Sequence, residues 1–191
     1  APGTISDSPQ EQADLRTAAG WTPRKNTLTH LPAVHDHWSV VGTHIQTDGR
    51  LRIKRRWLLG TQTKKTALLL DYAHGREMFR NDHILPGIAL TADLIFYPSA
   101  TPLRAFFAPP PTAQRPLTKL FAQPTIQSAL RTYTDALSRN PWLTYFHLAL
   151  DSVKPVEIDG NWHLVDQQGH YLPIRRRFGK AWHMLALTGG R

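Results

Sequence analysis

The chain has 191 residues, 41% of them apolar, which is enough for one domain with its own hydrophobic core. It contains no cysteine, and this excludes disulfides, thiolate zinc sites, iron–sulfur clusters and cysteine nucleophiles. Lysine and arginine together number 23, against 14 aspartates and glutamates, and the resulting net charge of +9 favours polyanionic partners.

Nothing in the sequence predicts a membrane segment. No stretch approaches the roughly 20 apolar residues that a membrane-spanning helix needs. The initial residues, APGTISDSPQ, lack the basic and apolar regions of a secretory signal peptide. We therefore expect a cytoplasmic protein without a membrane anchor, and the sequence leaves its oligomeric state open.

The sequence over residues 1–36 predicts an N-terminal arm or a weak helix. Ser8 is a favourable N-cap, and Pro9 suits the first position of a helix. Few apolar residues follow over 10–19, so such a helix has little to bury.

From position 38 the pattern predicts a three-stranded meander. Residues 38–46 are rich in β-branched side chains, Asp48-Gly49 is a strong hairpin signal, and 51–59 forms the returning strand. A second turn over 60–65 leads to a third strand over 66–72.

Side chains alternate along the middle strand, and this predicts its two faces. The mainly apolar set, which we expect to face the core, consists of Leu51, Ile53, Arg55, Trp57 and Leu59. The opposite set, which we expect to face solvent, begins with three cations: Arg52, Lys54 and Arg56.

The rest of the chain predicts more strands and two helices. Strands over 88–97 and 103–108 end at a proline-rich linker near 109–116. An amphipathic stripe predicts a helix over about 125–139, and Asn140 with Pro141 predicts a second helix to about 150. Four short strands follow, over 157–159, 162–165, 171–174 and 182–187.

The order of these elements predicts an α+β fold. An antiparallel sheet of hairpins and a meander, over about 38–108 and 157–188, packs with two consecutive helices over about 125–150. We expect a single domain over 37–191.

No motif predicts a catalytic, metal or cofactor site. His35, Asp36 and His37 are potential ligands, but in a strand the two histidines share one face and Asp36 points away. Asp93 interrupts an apolar strand and is expected to face solvent, and Asp71 is expected at the solvent end of its strand. Nucleophile elbows and phosphate-binding glycine loops are absent from the sequence.

Clustered cations are the strongest functional signal. The predicted nucleic-acid-binding residues are basic and lie near aromatic residues in the sequence: Arg52, Lys54, Arg56, Lys64, Lys65, Arg175, Arg176 and Arg177. Cations on a strand face with aromatic side chains between them can follow a phosphate backbone and stack bases. The alternative is a solvated sheet face and a basic loop without a partner.

Several stretches resemble the C-terminal region of bacterial SWIM zinc finger family proteins. The most distinctive is ADLIFYPSATPLRA over 92–105, and the resemblance extends through 38–42, 67–73, 140–143 and 185–190. The family's finger has the pattern CxC…CxH, so without cysteine no zinc ligand can be transferred to this chain. The resemblance implies an accessory domain of a larger protein, with no activity attached to it.

Three functions remain open at this point. The first is a non-catalytic module of a larger SWIM zinc-finger-like protein that contacts nucleic acid or a protein partner through the basic sheet face. The second is a hydrolase-type enzyme with Asp71, Asp93 or clustered histidines in a cleft. The third is a structural domain that packs on its own parent chain.

Overall fold

A computed structural model describes residues 8–111, 113–118, 120–175 and 178–187. Their contacts fall into two compact units: Ala1–Phe121 with Arg139–His147, and Ala122–Ser138 with Leu148–Arg191. The division into an arm over 1–36 and one domain over 37–191 stays a prediction, and the two units are described separately.

The first unit begins with helical elements that precede its strands. Helix α1 spans Pro9–Ala18, and Ser8 Oγ accepts a hydrogen bond from the Glu11 N–H (3.1 Å), which confirms the predicted N-cap. The buried Asp14 carboxylate accepts a hydrogen bond from the N–H of Ala100 (2.8 Å) and thereby ties α1 to the chain after the fourth strand. A 3-10 turn follows over Lys25–Leu28.

Six strands complete the first unit. They are β1 (Val34–Asp48), β2 (Leu51–Gly60), β3 (Thr66–His74), β4 (Ile88–Phe96), β5 (Arg104–Phe107) and β6 (Ala113–Pro116). The predicted meander and the following hairpin are confirmed. Where the sequence predicted only a linker near 109–116, β6 pairs with the first half of β4, so that part of the prediction is wrong.

Five of these strands close into a barrel. β1, β2 and β3 pair antiparallel in sequence order, β3 pairs parallel with β5, β5 pairs antiparallel with β4, and β4 returns to the first half of β1. A register shift between Val40 and Gly42 lets β1 bend so that it can serve both neighbours. This ring, β1-β2-β3-β5-β4, is the strand connectivity of an OB-fold barrel.

Apolar side chains from all five strands fill the barrel. The central cluster consists of Trp38, Val40, Leu58, Ala67, Leu69, Ile84, Leu90, Ala92, Leu94, Ala105 and Phe107. Trp38 is fully buried, and its Nε1–H donates to the Ala92 carbonyl (3.0 Å), so its one polar atom is satisfied. A smaller cluster of Leu28, Ile95 and Phe106 covers the outer side of β4 and β5.

The second unit combines two helices with a small antiparallel sheet. Its elements are α2 (Ile126–Arg139), β7 (Lys154–Ile158), β8 (Asn161–Val165), β9 (Tyr171–Pro173) and α3 (Ala181–Leu187). The buried Asp166 joins the turn after β8 to the start of α2, because its carboxylate accepts hydrogen bonds from the N–H groups of Ile126 and His170 (2.9 Å each). The α+β fold class with an antiparallel sheet is confirmed.

Two predicted elements are wrong. In place of the predicted second helix, a single turn at 141–142 is followed by irregular chain, in which Tyr145 and His147 both stack on β2, over Arg55 and Trp57. A spacing of two residues on one side suits an extended chain and not a helix. The predicted last strand is the helix α3, whose Ala, Met and Leu residues favour helix over strand.

No helix in the described ranges is both long and apolar enough to cross a membrane.

Candidate nucleic-acid interface

The cations that were predicted to face solvent on β2 lie inside the first unit. Lys54 is 5% exposed, Arg56 is completely buried and Arg52 is half-buried. They share their strand face with Leu58, a member of the barrel core. The prediction of an exposed basic stripe is therefore wrong, because closure of the barrel turns this face inward, where the 75–87 loop covers it.

Arg56 is held by three acceptors. Its Nε–H donates to the carbonyl of Ile84 (3.1 Å), one Nη to the carboxylate of Asp71 (3.0 Å) and the other to the carbonyl of Asn81 (2.7 Å). A buried guanidinium is tolerated only when its donors are paired in this way. Arg56 thus joins β2 to β3 and to the 75–87 loop.

Lys54 and Arg52 hold the first part of the same loop. The Lys54 ammonium donates to the Asp82 carboxylate, and this hydrogen bond, with the nearby positive charge, lowers the pKa of Asp82. Both cations lie over the buried Phe79 ring, at 5.3 Å for Lys54 and 5.1 Å for Arg52. Arg52 also donates to the carbonyl of Glu77. The three cations therefore organise the loop instead of forming a surface.

The other face of β2 points outward, opposite to the prediction. Of the set expected in the core, only Leu59 is buried, whereas Leu51 is exposed and Ile53, Arg55 and Trp57 are half-buried. Strand register places Tyr72 of β3 beside Ile53 on this outer face. Tyr72 is 51% exposed and presents an aromatic ring to solvent.

A groove of about 380 Å³ lies where β3 and β5 diverge. The two strands pair only at Leu68 with Arg104 and at Leu69 with Ala105, and beyond these positions they separate. The polar and aromatic residues that line the groove are Lys25, Asp71, Tyr72, Arg80, Asn81, Tyr97, Arg104, Phe106 and Phe107.

The groove is strongly basic. Lys25, Arg80 and Arg104 line it, and none of them forms an ion pair within the described part of the chain. Asp71 is the one acid among its described lining residues, and its charge is offset by Arg56. The groove therefore presents three positive charges without a matching negative charge.

Aromatic rings support two of these cations. The ammonium of Lys25 lies 4.9 Å from the ring centroid of Phe106, and the guanidinium of Arg104 lies 4.4 Å from that of Tyr97. Tyr97 and Phe106 themselves meet edge to face, with centroids 5.7 Å apart. These contacts restrict the cations while leaving their charge unneutralised.

Sequence reasoning missed all three groove cations. Lys25 belongs to the predicted arm, Arg80 to a turn-rich segment and Arg104 to a short strand, so no local cluster connects them. Arg104 lies inside ADLIFYPSATPLRA, the most distinctive run of the chain. This run is the one feature of the sequence that draws attention to the region around Arg104.

The remaining predicted binding residues lie elsewhere. Lys64 and Lys65 are exposed in the β2–β3 turn, where their ammonium groups lie over the rings of Phe121 (4.6 Å) and Phe96 (5.7 Å). Arg175 is exposed after β9 in the second unit. Arg176 and Arg177 lie outside the described residues.

The acid and histidine candidates do not form one cleft. On the outer side of β1 and β4, His35 Nδ1 lies 2.6 Å from Asp93 Oδ1, and both side chains are substantially exposed. Asp71 instead faces Arg56 in the interior. Among the described residues, no group of three or more potential ligands is arranged to hold a metal ion.

No protein-family model, curated protein or solved structure matches this chain. The resemblance to SWIM zinc finger proteins stays a prediction.

Proposed function

We propose that the chain is a non-catalytic binding module that binds single-stranded nucleic acid in the groove between β3 and β5. As in the sequence-based prediction, it would serve a larger SWIM zinc-finger-like protein of the cytoplasm. The observation that carries the proposal is the convergence of Lys25, Arg80 and Arg104, without carboxylate partners, beside exposed aromatic surface.

Charge is the first support. Three like charges that converge without counter-charge repel one another, and a polyanion relieves this repulsion when it binds. Phosphates of a nucleic acid strand provide such charges at regular spacing, and binding releases their condensed counterions.

Aromatic exposure is the second support. Tyr72 lines the groove, and about half of the residue is exposed to solvent. Stacking of one base on an aromatic side chain contributes roughly 1–3 kcal/mol and works with any base. We therefore expect binding with little sequence preference.

The shape of the site favours a single strand over a duplex. A duplex presents its base edges inside its own grooves, where a protein helix or ribbon must be inserted. Here the protein is concave, and a groove of about 380 Å³ suits an unpaired strand. Barrels of the OB type bind oligonucleotides on the side of strands 2 and 3, and this analogy at the level of the fold points the same way.

Fluorescence anisotropy with the full chain tests the proposal. The probes are labelled oligothymidine and oligouridine of about 15 nucleotides, near the longest site of a single barrel, and a duplex of the same length. We expect the single strands to bind more tightly than the duplex. The logarithm of the binding constant should fall with the logarithm of salt concentration with a slope of about −2, since each neutralised phosphate contributes about −0.7.

A variant with Arg80→Ala and Arg104→Ala separates groove binding from general attraction. It should reduce the slope by about 1.4 and weaken binding, because two phosphate contacts are lost. A double variant with Lys64→Ala and Lys65→Ala is the matched control, since it removes two exposed cations that do not line the groove. Equal losses in the two variants would contradict the groove as the site, and the absence of binding at low salt would favour a protein partner.

A further inference from the structure

The 75–87 loop is held by a few anchoring contacts and by no secondary structure of its own. It contains no helix or strand, and Met78 and Leu85 are exposed at its surface. Its two ends are tied to the barrel, since the N–H groups of Gly75 and Gly87 donate to the carbonyls of Arg50 (2.7 Å) and Val40 (2.9 Å). Phe79 and Ile84 are buried, and between them the placement of the largely exposed segment 80–83 depends on the side chains that reach it from β2.

Those side chains bracket Arg80, one of the three cations of the groove. On one side of Arg80, the Phe79 ring lies under Lys54. On the other side, Asn81 accepts from Arg56 through its carbonyl, and Asp82 accepts from Lys54 through its carboxylate. Arg80 itself is exposed and forms no ion pair in the described part of the chain.

We infer that the Lys54–Asp82 ion pair is a positioning device for the groove, which fixes the 75–87 loop so that Arg80 reaches a phosphate of the bound strand. The inference rests on the proposed function. Neither Lys54 nor Asp82 lines the groove, so both act on the ligand through the loop.

The pair suits this role because its two partners differ in exposure. Lys54 is anchored in the barrel, and its buried ammonium needs a partner. Asp82 is 47% exposed on its side chain and belongs to the loop. Without the Asp82 carboxylate, this tether to the barrel is lost, and ordering Arg80 on binding then costs additional entropy.

The sign of one substitution distinguishes positioning from simple electrostatics. Asp82→Asn removes a negative charge near a basic groove, so electrostatics alone would strengthen the binding of a polyanion. If Asp82 holds the loop, binding weakens instead. We expect a loss of roughly three- to tenfold for oligothymidine, the range that corresponds to ordering one long side chain.

The experiment compares Asp82→Asn with Asp48→Asn, which removes the same charge from the exposed β1–β2 turn. Asp82→Asn should lower both the affinity and the salt slope, the latter by about 0.7. Asp48→Asn should leave the slope unchanged. Lys54→Met should reproduce the loss, and the double variant should add little to either single change. An affinity for Asp82→Asn equal to or above that of Asp48→Asn would overturn the inference.

Hydrogen exchange of the free full chain separates this inference from the proposed function. If the pair fixes the loop, Asp82→Asn raises exchange of the Glu77 and Ile84 amides, which are the hydrogen-bonded amides over 77–84, and leaves β1 and β2 protected. That result together with no oligonucleotide binding by the wild type would contradict the proposed function alone. Unchanged exchange over 77–84 would overturn the positioning role whether or not the wild type binds.

Discussion

The carboxylate of Asp36 occupies the space that a side chain at position 60 would need. A β-carbon built on Gly60 would lie 2.4 Å from Asp36 Oδ2. That oxygen accepts hydrogen bonds from the Thr63 N–H (2.8 Å) and hydroxyl (2.6 Å), and Oδ1 accepts from the N–H groups of Gln62 (3.0 Å) and His37 (2.6 Å). One buried carboxylate thus ties β1 to the turn between β2 and β3.

Gly60→Ala should destabilise the protein. The new methyl group must displace the Asp36 carboxylate or the Thr63 hydroxyl, which lies 2.7 Å from the same β-carbon position. We expect a loss of about 1–3 kcal/mol in the free energy of unfolding, measured by urea denaturation. Gly42→Ala is the control, since nothing lies within 4 Å of its added carbon. Equal stabilities of the two variants would show that the contact is not restrictive.

The contribution of Asp36 to stability should disappear in acid. Burial by itself raises the pKa of Asp36, but hydrogen bonds from Thr63, Gln62 and His37 outweigh it and leave the pKa below its ordinary value. A carboxyl with a lower pKa in the folded state stabilises fully above its unfolded pKa of about 3.9, and this stabilisation is lost as the pH falls through the folded value.

The measurement compares wild type with Asp36→Asn by urea denaturation across pH. The difference in unfolding free energy should be constant from pH 7 to about pH 5 and shrink below about pH 4. If this difference in unfolding free energy were undiminished at about pH 2, the hydrogen bonds would not depend on the negative charge of Asp36.

Arg56→Met should cost about 3–5 kcal/mol, because it leaves the Asp71 carboxylate without its buried partner. Adding Asp71→Leu to the same chain should restore part of this loss, since the unpaired charge is then removed as well. Urea denaturation of the two single variants and the double variant measures the coupling. If Arg56→Met were as stable as wild type, the ion pair between Arg56 and Asp71 would not contribute to stability. Because Arg56 is buried, an Arg56→Glu variant would test folding and not nucleic-acid contact.

Asp166→Ala should loosen the start of α2. Burial raises the pKa of Asp166, yet hydrogen bonds from Ile126, His170 and Gln168 together lower it, so the ionised carboxylate is the form that holds this junction. In the variant, hydrogen exchange at the amides of Ile126 and His170 should become faster. Glu157→Ala, which removes an exposed acid from β7, is the control and should leave both amides protected.

Local signals predicted most strands of the first unit. The Asp48-Gly49 turn and the alternation on either side of it identify β1 and β2, since these depend on neighbours in the chain. The elements that were predicted incorrectly depend on contacts between residues that are far apart in the sequence. The chain after Asn140 is extended because Tyr145 meets Arg55, and no local pattern reports that contact.

The same distinction explains the candidate site. Alternation along β2 separates two faces, but it does not say which one turns inward; that is decided when β4 pairs with β1 and β5 with β3. Polarity suggested that Arg52, Lys54 and Arg56 face water. Acceptors from the 75–87 loop reverse this choice, and the groove cations come from three segments that are distant in sequence.

β1 pairs with both β2 and β4, and these two pairings become possible at different times during synthesis. Its second half can pair with β2 as soon as Gly60 has left the ribosome, whereas residues 34–39 must wait for their partners at 89–94. Until then Trp38 lacks the Ala92 carbonyl that receives its indole proton. In a nascent chain interrupted after His74, the edge of β1 over 34–39 would have no partner strand. The β4 strand of another copy could then pair with it.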